Sequence, residues 1–380
     1  MSNDIKFTVI IPTRERADVL VHCLRTVVAQ DYENLEIIVS DNHSNDNTRE
    51  VVESFRDERI RYINTGRRLS MSSNWEYALS FVSEGYVGFL GDDDGLLPGS
   101  IARLSEIIDE YCPDAINAPY VDYNWPDNGT DEAWKICVPS RRTTKYYSSA
   151  KYISDLLSGY LSYVDGPLIY NGSFAKIDKI NAARDHDRVF FKAQSPDVYS
   201  AVALSCVTSK FLRIKDPIAV AGRSRHSNGS SAMKKGAPPG PFQAFMKEND
   251  LSIHSVFGSL VPESIQLLCY DSYLQASHLH RQRSHNLGKQ LTLAVLLAEP
   301  QTRERIADQC CEIAKLNSLL WAPSWRLHPL ASEAFLKYRS LRNGILGVKT
   351  RIKQLDGKDF GLDDVHKVAL AYGTNAFFSA

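Results

Sequence analysis

The chain has 380 residues, 43% hydrophobic and 23% charged, with a formal net charge of −1. That length allows two domains and a sizeable core, and the composition is ordinary for a globular protein. The near-zero charge gives no electrostatic footprint for nucleic acid, and no apolar run of about 18 residues is present to cross a bilayer. The seven cysteines are scattered without CxxC pairs or zinc-ligand spacing, which predicts reduced thiols in a cytosolic protein. Met1–Lys6 leads straight into a strand, with no signal-peptide apolar segment.

The first 120 residues alternate strand and helix. Phe7 to Ile11 is a continuous β-rich run, as a strand covered on both faces requires. Val19, Leu20, Cys23, Leu24, Val27 and Val28 form one stripe of an amphipathic helix. A strand at 36–39, a helix at 48–55, a short strand at 60–63 and a helix at 71–82 follow. Val87 to Leu90 reads as the fourth strand, and Ile101, Leu104, Ile107, Ile108 and Tyr111 mark the next helix. This rhythm predicts βαβ units and a mostly parallel sheet. After Asn117 it changes. Tyr120 to Trp134 is aromatic and turn-rich, suggesting a hairpin or an irregular excursion, and helical pattern returns near 150–161 and 196–204. Residues 222–241 are rich in Gly, Ser and Pro, and a loop of that length suggests a lid or a linker. From 245 to 355 the pattern is helical. The predicted division is therefore 1–222, an α/β domain; 223–244, a flexible loop; and 245–380, a helical domain.

Ligands of open parallel sheets bind beyond the carboxyl ends of the strands. Three polar groups fall there: Pro12-Thr13-Arg14 after strand one, Asp41-Asn42 after strand two, and Asp92-Asp93-Asp94 after strand four. Three adjacent carboxylates repel one another unless water or a cation compensates them. Their hard oxygens suit Mg²⁺ or Mn²⁺, usually held by one or two carboxylates plus substrate phosphates. A solvated acidic turn is the simpler alternative. With no GxxxxGK[ST] and no GxGxxG, a nucleoside diphosphate here would lean on the cation for charge compensation.

The runs Val9-Ile10-Ile11-Pro12-Thr13-Arg14, Leu35 to Asp41-Asn42, and Phe89-Leu90-Gly91-Asp92-Asp93-Asp94 with Pro98 resemble the family 2 glycosyltransferases of the GT-A fold, over roughly residues 5–230. The resemblance implies an α/β, Rossmann-like catalytic domain and inverting transfer of a sugar from a nucleoside diphosphate sugar, UDP by default. The acceptor would be a saccharide or lipid-linked saccharide hydroxyl, in surface polysaccharide synthesis. It implies that Pro12, Thr13, Arg14 and Asp41 meet the nucleotide, that Asp92 takes the ribose, and that Asp93, with Asp94 as second candidate, ligates Mn²⁺ or Mg²⁺. Gly91 departs from the family's usual acid. Asn74 matches an asparagine that opens the family's third helix, where a structural role is as natural.

Asp197, after Pro196 where glutamate is usual, matches the general base that deprotonates the acceptor. A helix-starting acid is the alternative there, with Asp185, His186 and Asp187 as runners-up. Arg223 to Ser230 resembles the segment that closes the family's catalytic domain, with Arg225 on phosphate and His226 completing the metal site. Tyr123, Trp125 and Trp134 are candidates for stacking on an acceptor sugar, or for core packing.

Between residues 276 and 355, Lys and Arg outnumber Asp and Glu by thirteen to five. Interleaved with Trp321, Trp325, Phe335 and Tyr338, this predicts peripheral contact with anionic lipid headgroups, or else a solvated face or an oligomer interface. The expected location is cytoplasmic, at the inner face of the membrane, with no nucleic-acid partner. Two other classes compete: a non-catalytic sugar-nucleotide-binding scaffold, and a nucleotidyltransferase, whose G-x-G-x-R loop Thr13-Arg14-Glu15-Arg16 lacks.

Overall fold

The computed structural model describes residues 5–140, 143–227, 253–280, 286–321, 329–345 and 351–374. The strand runs β1 (Phe7–Thr13), β2 (Leu35–Asp41), β3 (Ile60–Asn64) and β4 (Tyr86–Phe89) pair in parallel, in the spatial order β3-β2-β1-β4. Successive residues of β1 face opposite sides, so the unbroken apolar run is divided between two cores. Ile10 joins one with Ile38, Val87 and Phe89; Val9 and Ile11 join the other with Ile37 and Val39.

Beyond β4 the sheet continues through four strands: β10 (Phe174–Lys176), antiparallel to both neighbours, then β6 (Ala115–Asn117), β11 (Lys210–Arg213) and β9 (Lys145–Ser148). Helices α1 (Ala17–Val28) and α4 (Ser100–Tyr111) cover one face. Helices α3 (Met71–Leu79), α5 (Ser149–Leu156), α6 (Ile177–Ala182) and α7 (Pro196–Val207) contribute to the other, while α2 (Thr48–Ser54) closes the crossover from β2 to β3.

The aromatic excursion is a hairpin. β7 (Tyr120–Asn124) pairs with β8 (Lys135–Ser140), inside a second sheet of order β13-β8-β7-β12-β5, where β5 is Gly95–Leu96, β12 is Ala219–Arg223 and β13 is Arg351–Asp356. Tyr123 and Trp125 are buried there (0% and 6% exposed), against Val220, Val365 and Val368. Of the two readings open for these side chains, core packing holds for Tyr123 and Trp125.

The C-terminal region is helical, as expected, apart from β13. Helices α8 (Ile265–Gln275), α9 (Leu287–Leu297) and α10 (Arg303–Leu316) bury Leu267, Leu291 and Ile306 in the same core as Phe89 and α7. After α11 (Pro329–Ile345), the chain returns through β13 and α12 (Val365–Gly373), which packs on α1 and β12. The helical part thus shares its apolar core with the sheet.

Several basic residues of this region are engaged inside the chain. Arg342 pairs with Asp155 (2.7 Å), Arg339 donates to the Tyr160 carbonyl (3.1 Å), and Arg305 meets Glu263 (2.7 Å). Phe335 stacks on Tyr160, and Trp321 is partly buried, its indole N–H donating to Thr292. Trp325 and the loop residues 228–244 lie outside the described residues. All seven cysteines are free thiols. Among the described residues no helix is long and apolar enough to cross a membrane.

Candidate active site

The parallel register sets Thr13 opposite Asp41 where β1 and β2 end, and β4 ends at Phe89, so the aspartate run emerges beside them. Asn42 N–H donates to the Thr13 carbonyl (2.9 Å), carrying the ladder one step past the strands. The loop after β1 is locked to the loop after β2 by Glu15, in the left-handed region with φ 53°. Its N–H donates to Ser44 Oγ (2.9 Å), and its carboxylate accepts from Asn45 and Arg68. Asp46 accepts from the Ala17 N–H (3.1 Å), so an acid from the β2 loop satisfies the first turn of α1.

The three consecutive acids have three different fates. Asp92 accepts from the Thr13 hydroxyl (2.8 Å) and pairs with Arg16 (3.0 Å). Burial pushes its carboxyl up, helped by Asp93, while Arg16 and Thr13 pull it back. Asp94 folds inward, where Oδ2 accepts from Gly91 N–H (2.9 Å) and Oδ1 from Gly222 N–H (2.7 Å). Burial and Asp93 hold it well above the usual carboxylate range, and the Tyr170 phenol hydrogen-bonds it. Asp93 is buried (6% exposed) and its hydrogen bonds come from neutral groups: the Ser224 N–H (3.2 Å), the Ser224 hydroxyl (2.7 Å) and the Ser227 hydroxyl (2.5 Å). Asp93 therefore remains the acid whose charge a cation would complement best.

This geometry explains Gly91, the departure from the expected pattern. A Cβ there would stand 2.5 Å from Asp94 Oδ2 and 2.8 Å from the Tyr170 hydroxyl. The position is closed to an acid by the inward turn of Asp94. Gly222 is more restricted still, since a Cβ would meet the Asp93 carbonyl oxygen at 1.9 Å and Trp125 Nε1 at 2.5 Å. Gly222→Ala is expected to lower stability by roughly 1–3 kcal/mol through overpacking against backbone. Urea denaturation reads this directly, and an unchanged midpoint would contradict the close approach of β12 to the aspartate turn.

Asp41 is 2% exposed and accepts three hydrogen bonds, from Ser44 N–H (2.9 Å), the Tyr62 hydroxyl (2.6 Å) and Asn64 Nδ2 (2.9 Å). A carboxylate has about four acceptor positions, so about one is left for a ligand donor. Asn74 accepts from the Ser40 hydroxyl (2.7 Å), a tie between α3 and β2. Pro12 and Arg14 flank Thr13 in the same turn.

His226 reaches the site edge through its main chain, while Arg225 is engaged through its side chain. Arg16 donates to the His226 carbonyl, and His226 N–H to Ser224 Oγ (3.2 Å). The His226 ring nitrogen Nε2 meets Asp18 (3.2 Å) and Arg225 (3.0 Å), and Arg225 also pairs with Asp18 (3.0 Å). The structure thus brings Asp92 and Asp93 together with the backbone of 224–227, but turns Asp94 inward and engages His226 Nε2 elsewhere. Among the described residues, three metal-ligand atoms gather within 4.8 Å only at Asp185, His186 and Asp187. That group is on the surface, and Asp185 is occupied by Lys192 (2.6 Å) and by backbone N–H groups. A cation at Asp93 fits the mode in which one or two carboxylates hold Mg²⁺ or Mn²⁺ and phosphates and water complete the shell.

Asp197 stands at the second position of α7, after Pro196. Burial raises its carboxyl pKa, against hydrogen bonds from the Val198 N–H and the Tyr163 phenol. Tyr170 lies within electrostatic reach of Asp93, Asp94 and Asp197, so one phenol links the acidic turn to the start of α7. Tyr163, Tyr170, Ser224 and Ser227 were not among the sequence candidates. Ser224 and Ser227 flank the R-x-H pattern and were within its reach, but the tyrosines carry no local signal. The groove lined by Ser72, Glu76, Tyr77 and Arg184 shares no residue with this cluster.

Residues 8–164 match the family model described as Glycosyl transferase family 2. A Campylobacter jejuni GalNAc(5)-diNAcBac-PP-undecaprenol beta-1,3-glucosyltransferase is 37% identical over 108 residues, 28% of this chain and 35% of that protein. The Streptococcus pneumoniae glycosyltransferase GlyA is 32% identical over 123 residues, 32% of this chain and 18% of its own. The similarity thus spans about a third or less of these two relatives. The solved S. aureus TarS 1–349 in complex with UDP is 15% identical with a TM-score of 0.47, covering 85% of this chain and 92% of that one.

Proposed function

Because residues 8–164 match the Glycosyl transferase family 2 model, we propose that the protein transfers a sugar, with inversion, from a nucleoside diphosphate sugar to a hydroxyl of a saccharide or lipid-linked saccharide. UDP is the proposed nucleotide and Mn²⁺ or Mg²⁺ the cofactor. The observation that carries this reading is the divided fate of the aspartate run: Asp92 neutralised by Arg16, Asp94 turned inward, and Asp93 hydrogen-bonded, among the described residues, by neutral groups. The Campylobacter relative is named for an undecaprenol-diphosphate-linked substrate, which supports the acceptor class.

In this reading Asp41, at the end of β2, offers its remaining acceptor position to the base, and Asp92 and Thr13 face the ribose. Asp93 holds the cation, which when bound supplies Lewis-acid stabilisation of the departing diphosphate. Asp197 accepts the proton of the acceptor hydroxyl. The acceptor oxygen then bonds to the anomeric carbon from the face opposite the leaving group, and the bond to the β-phosphate oxygen breaks. Arg225, at the rim, meets phosphate charge in this reading once its contact with Asp18 is released.

A thermal-shift panel tests the donor side. UDP with Mn²⁺ at about a hundred times its Kd is expected to add about 2.7 kcal/mol of apparent stability, and UDP alone clearly less. If no nucleoside diphosphate raises the midpoint with either cation, the reading is lost.

A further inference from the structure

A groove of about 690 Å³ runs between α3 and the segment that follows α6, a size typical of small-ligand sites. Ser72, Glu76 and Ser80 recur at i, i+4 and i+8, so α3 turns one polar face toward it, with Tyr77 alongside. Asn181, Arg184 and Arg188 line the other wall, and Leu79 and Phe191 add apolar surface. Glu76 ties the two walls together. Its carboxylate pairs with Arg184 and accepts from the N–H groups of Phe190 (2.9 Å) and Phe191 (3.0 Å). The Ser72 hydroxyl donates to the Ala193 carbonyl (2.7 Å), just ahead of Pro196 and Asp197. The width of the groove is thus set before any ligand enters, and that lowers the ordering cost of binding.

The wall that carries Arg188 is held from several sides. Asp185 accepts from the N–H groups of Asp187 (3.0 Å) and Val189 (2.9 Å) and pairs with Lys192 (2.6 Å). Arg184 donates to the Arg188 carbonyl and to Asn181 Oδ1 (3.0 Å). Together these bonds fix Arg188 at φ 62°, in the left-handed region that long side chains seldom adopt. Such strain persists where the surroundings over-determine a geometry, and it clusters at ligand clamps. The Arg188 guanidinium has no ion-pair or hydrogen-bond partner among the described residues, and Asn181 Nδ2 has no acceptor there. The acids nearby are turned elsewhere: Glu76 to Arg184, Asp185 to Lys192, and Asp187 to His186 (3.1 Å). One positive charge is therefore left to the groove.

Resting on the reading of the acceptor as a saccharide, we propose that this groove binds a remote, carboxylate-bearing unit of the acceptor chain. A sugar ring offers hydroxyls at its rim and C–H groups on its faces, which suits a lining of hydroxyls, an amide and apolar side chains. The planar fork of Arg188 takes the carboxylate through two parallel hydrogen bonds. Asn181 Nδ2 donates to a ring oxygen, and the Ser80 hydroxyl oxygen, whose proton goes to the Tyr77 carbonyl (2.6 Å), accepts from a ring hydroxyl. The Ser72 end adjoins the segment that leads into α7, so a chain held here is retained beside the proposed base.

The test is titration calorimetry of the full chain with tetragalacturonate, with uncharged maltotetraose and inorganic phosphate as comparison probes. Tetragalacturonate is expected to bind wild type at least about tenfold more tightly than maltotetraose does, and more weakly as salt is raised. Arg188→Ala removes the cation and Ser80→Trp fills the groove; both positions are exposed, and each change should weaken tetragalacturonate by about tenfold or more. No binding to wild type, equal binding of the neutral oligomer, or undiminished binding by either variant overturns the proposal. Full displacement of tetragalacturonate by an equal concentration of phosphate would reduce the groove to an anion site and overturn it as well. The UDP–Mn²⁺ thermal shift reads the donor site separately. A shift without tetragalacturonate binding removes the groove and leaves the transferase reading standing. Binding without any nucleotide shift keeps a saccharide site and overturns its role in holding an acceptor.

Discussion

Asp93→Ala is expected to reduce sugar transfer by roughly a thousandfold, about 4 kcal/mol of transition-state stabilisation, because it removes the carboxylate proposed to hold the cation. The fold should survive the change, since Asp93 makes no ion pair among the described residues; the buried Ser224 hydroxyl and the half-buried Ser227 hydroxyl lose this acceptor, a cost of about 1–3 kcal/mol. UDP affinity measured in Mn²⁺ should fall to the value measured in chelator, while affinity in chelator itself stays unchanged. If Asp93→Ala keeps its Mn²⁺-dependent affinity, the cation is held elsewhere and the division of labour among the three acids is wrong. Asp92 and Asp94 would not mimic this result, since Arg16 and two backbone N–H groups hold them for reasons of structure.

Asp197→Asn is expected to lower kcat by about a hundred- to ten-thousandfold with little change in donor KM, the range associated with loss of a positioned general base. The amide fits the helix start, so the thermal midpoint should move little. The wild-type pH profile carries a second signature. Burial raises the Asp197 pKa, against the Val198 N–H and Tyr163 hydrogen bonds. The base must be ionised to work, so activity should be lost on acidification at a pH above the usual carboxylate range, and be fully present above it. A rate that stays flat down to the ordinary carboxylate pKa near 4 would exclude a buried carboxyl as the base.

Much of the sheet-bearing half was readable in advance because its signals are local. The continuous apolar runs of β1 and β2 belong to strands covered on both faces, and the polar groups just after them fall at strand ends by construction. That placed Thr13, Asp41 and the aspartate run at one sheet edge before any coordinates. Local pattern could not say which of three identical side chains would point where. Asp94 turns inward because Gly91 and Gly222 both present N–H groups to it, and Gly222 is 128 residues away. Nor could it show that Tyr123 and Trp125 would be buried, since the core that receives them is built from β12 and α12.

The sequence by itself determined the α/β class, the strand ends and the family resemblance of residues 8–164, because apolar periodicity and short motifs are carried by neighbours in the chain. The tertiary structure decided the rest. It brought β13 back to β8, set the C-terminal helices into the core of the sheet, and gave Asp92 to Arg16 while leaving Asp93 with neutral donors. It also tied the turn at Asp165 to the buried Arg213 of β11. These are pairings between residues far apart in sequence, and only the closed chain fixes which distant donor meets which buried acceptor.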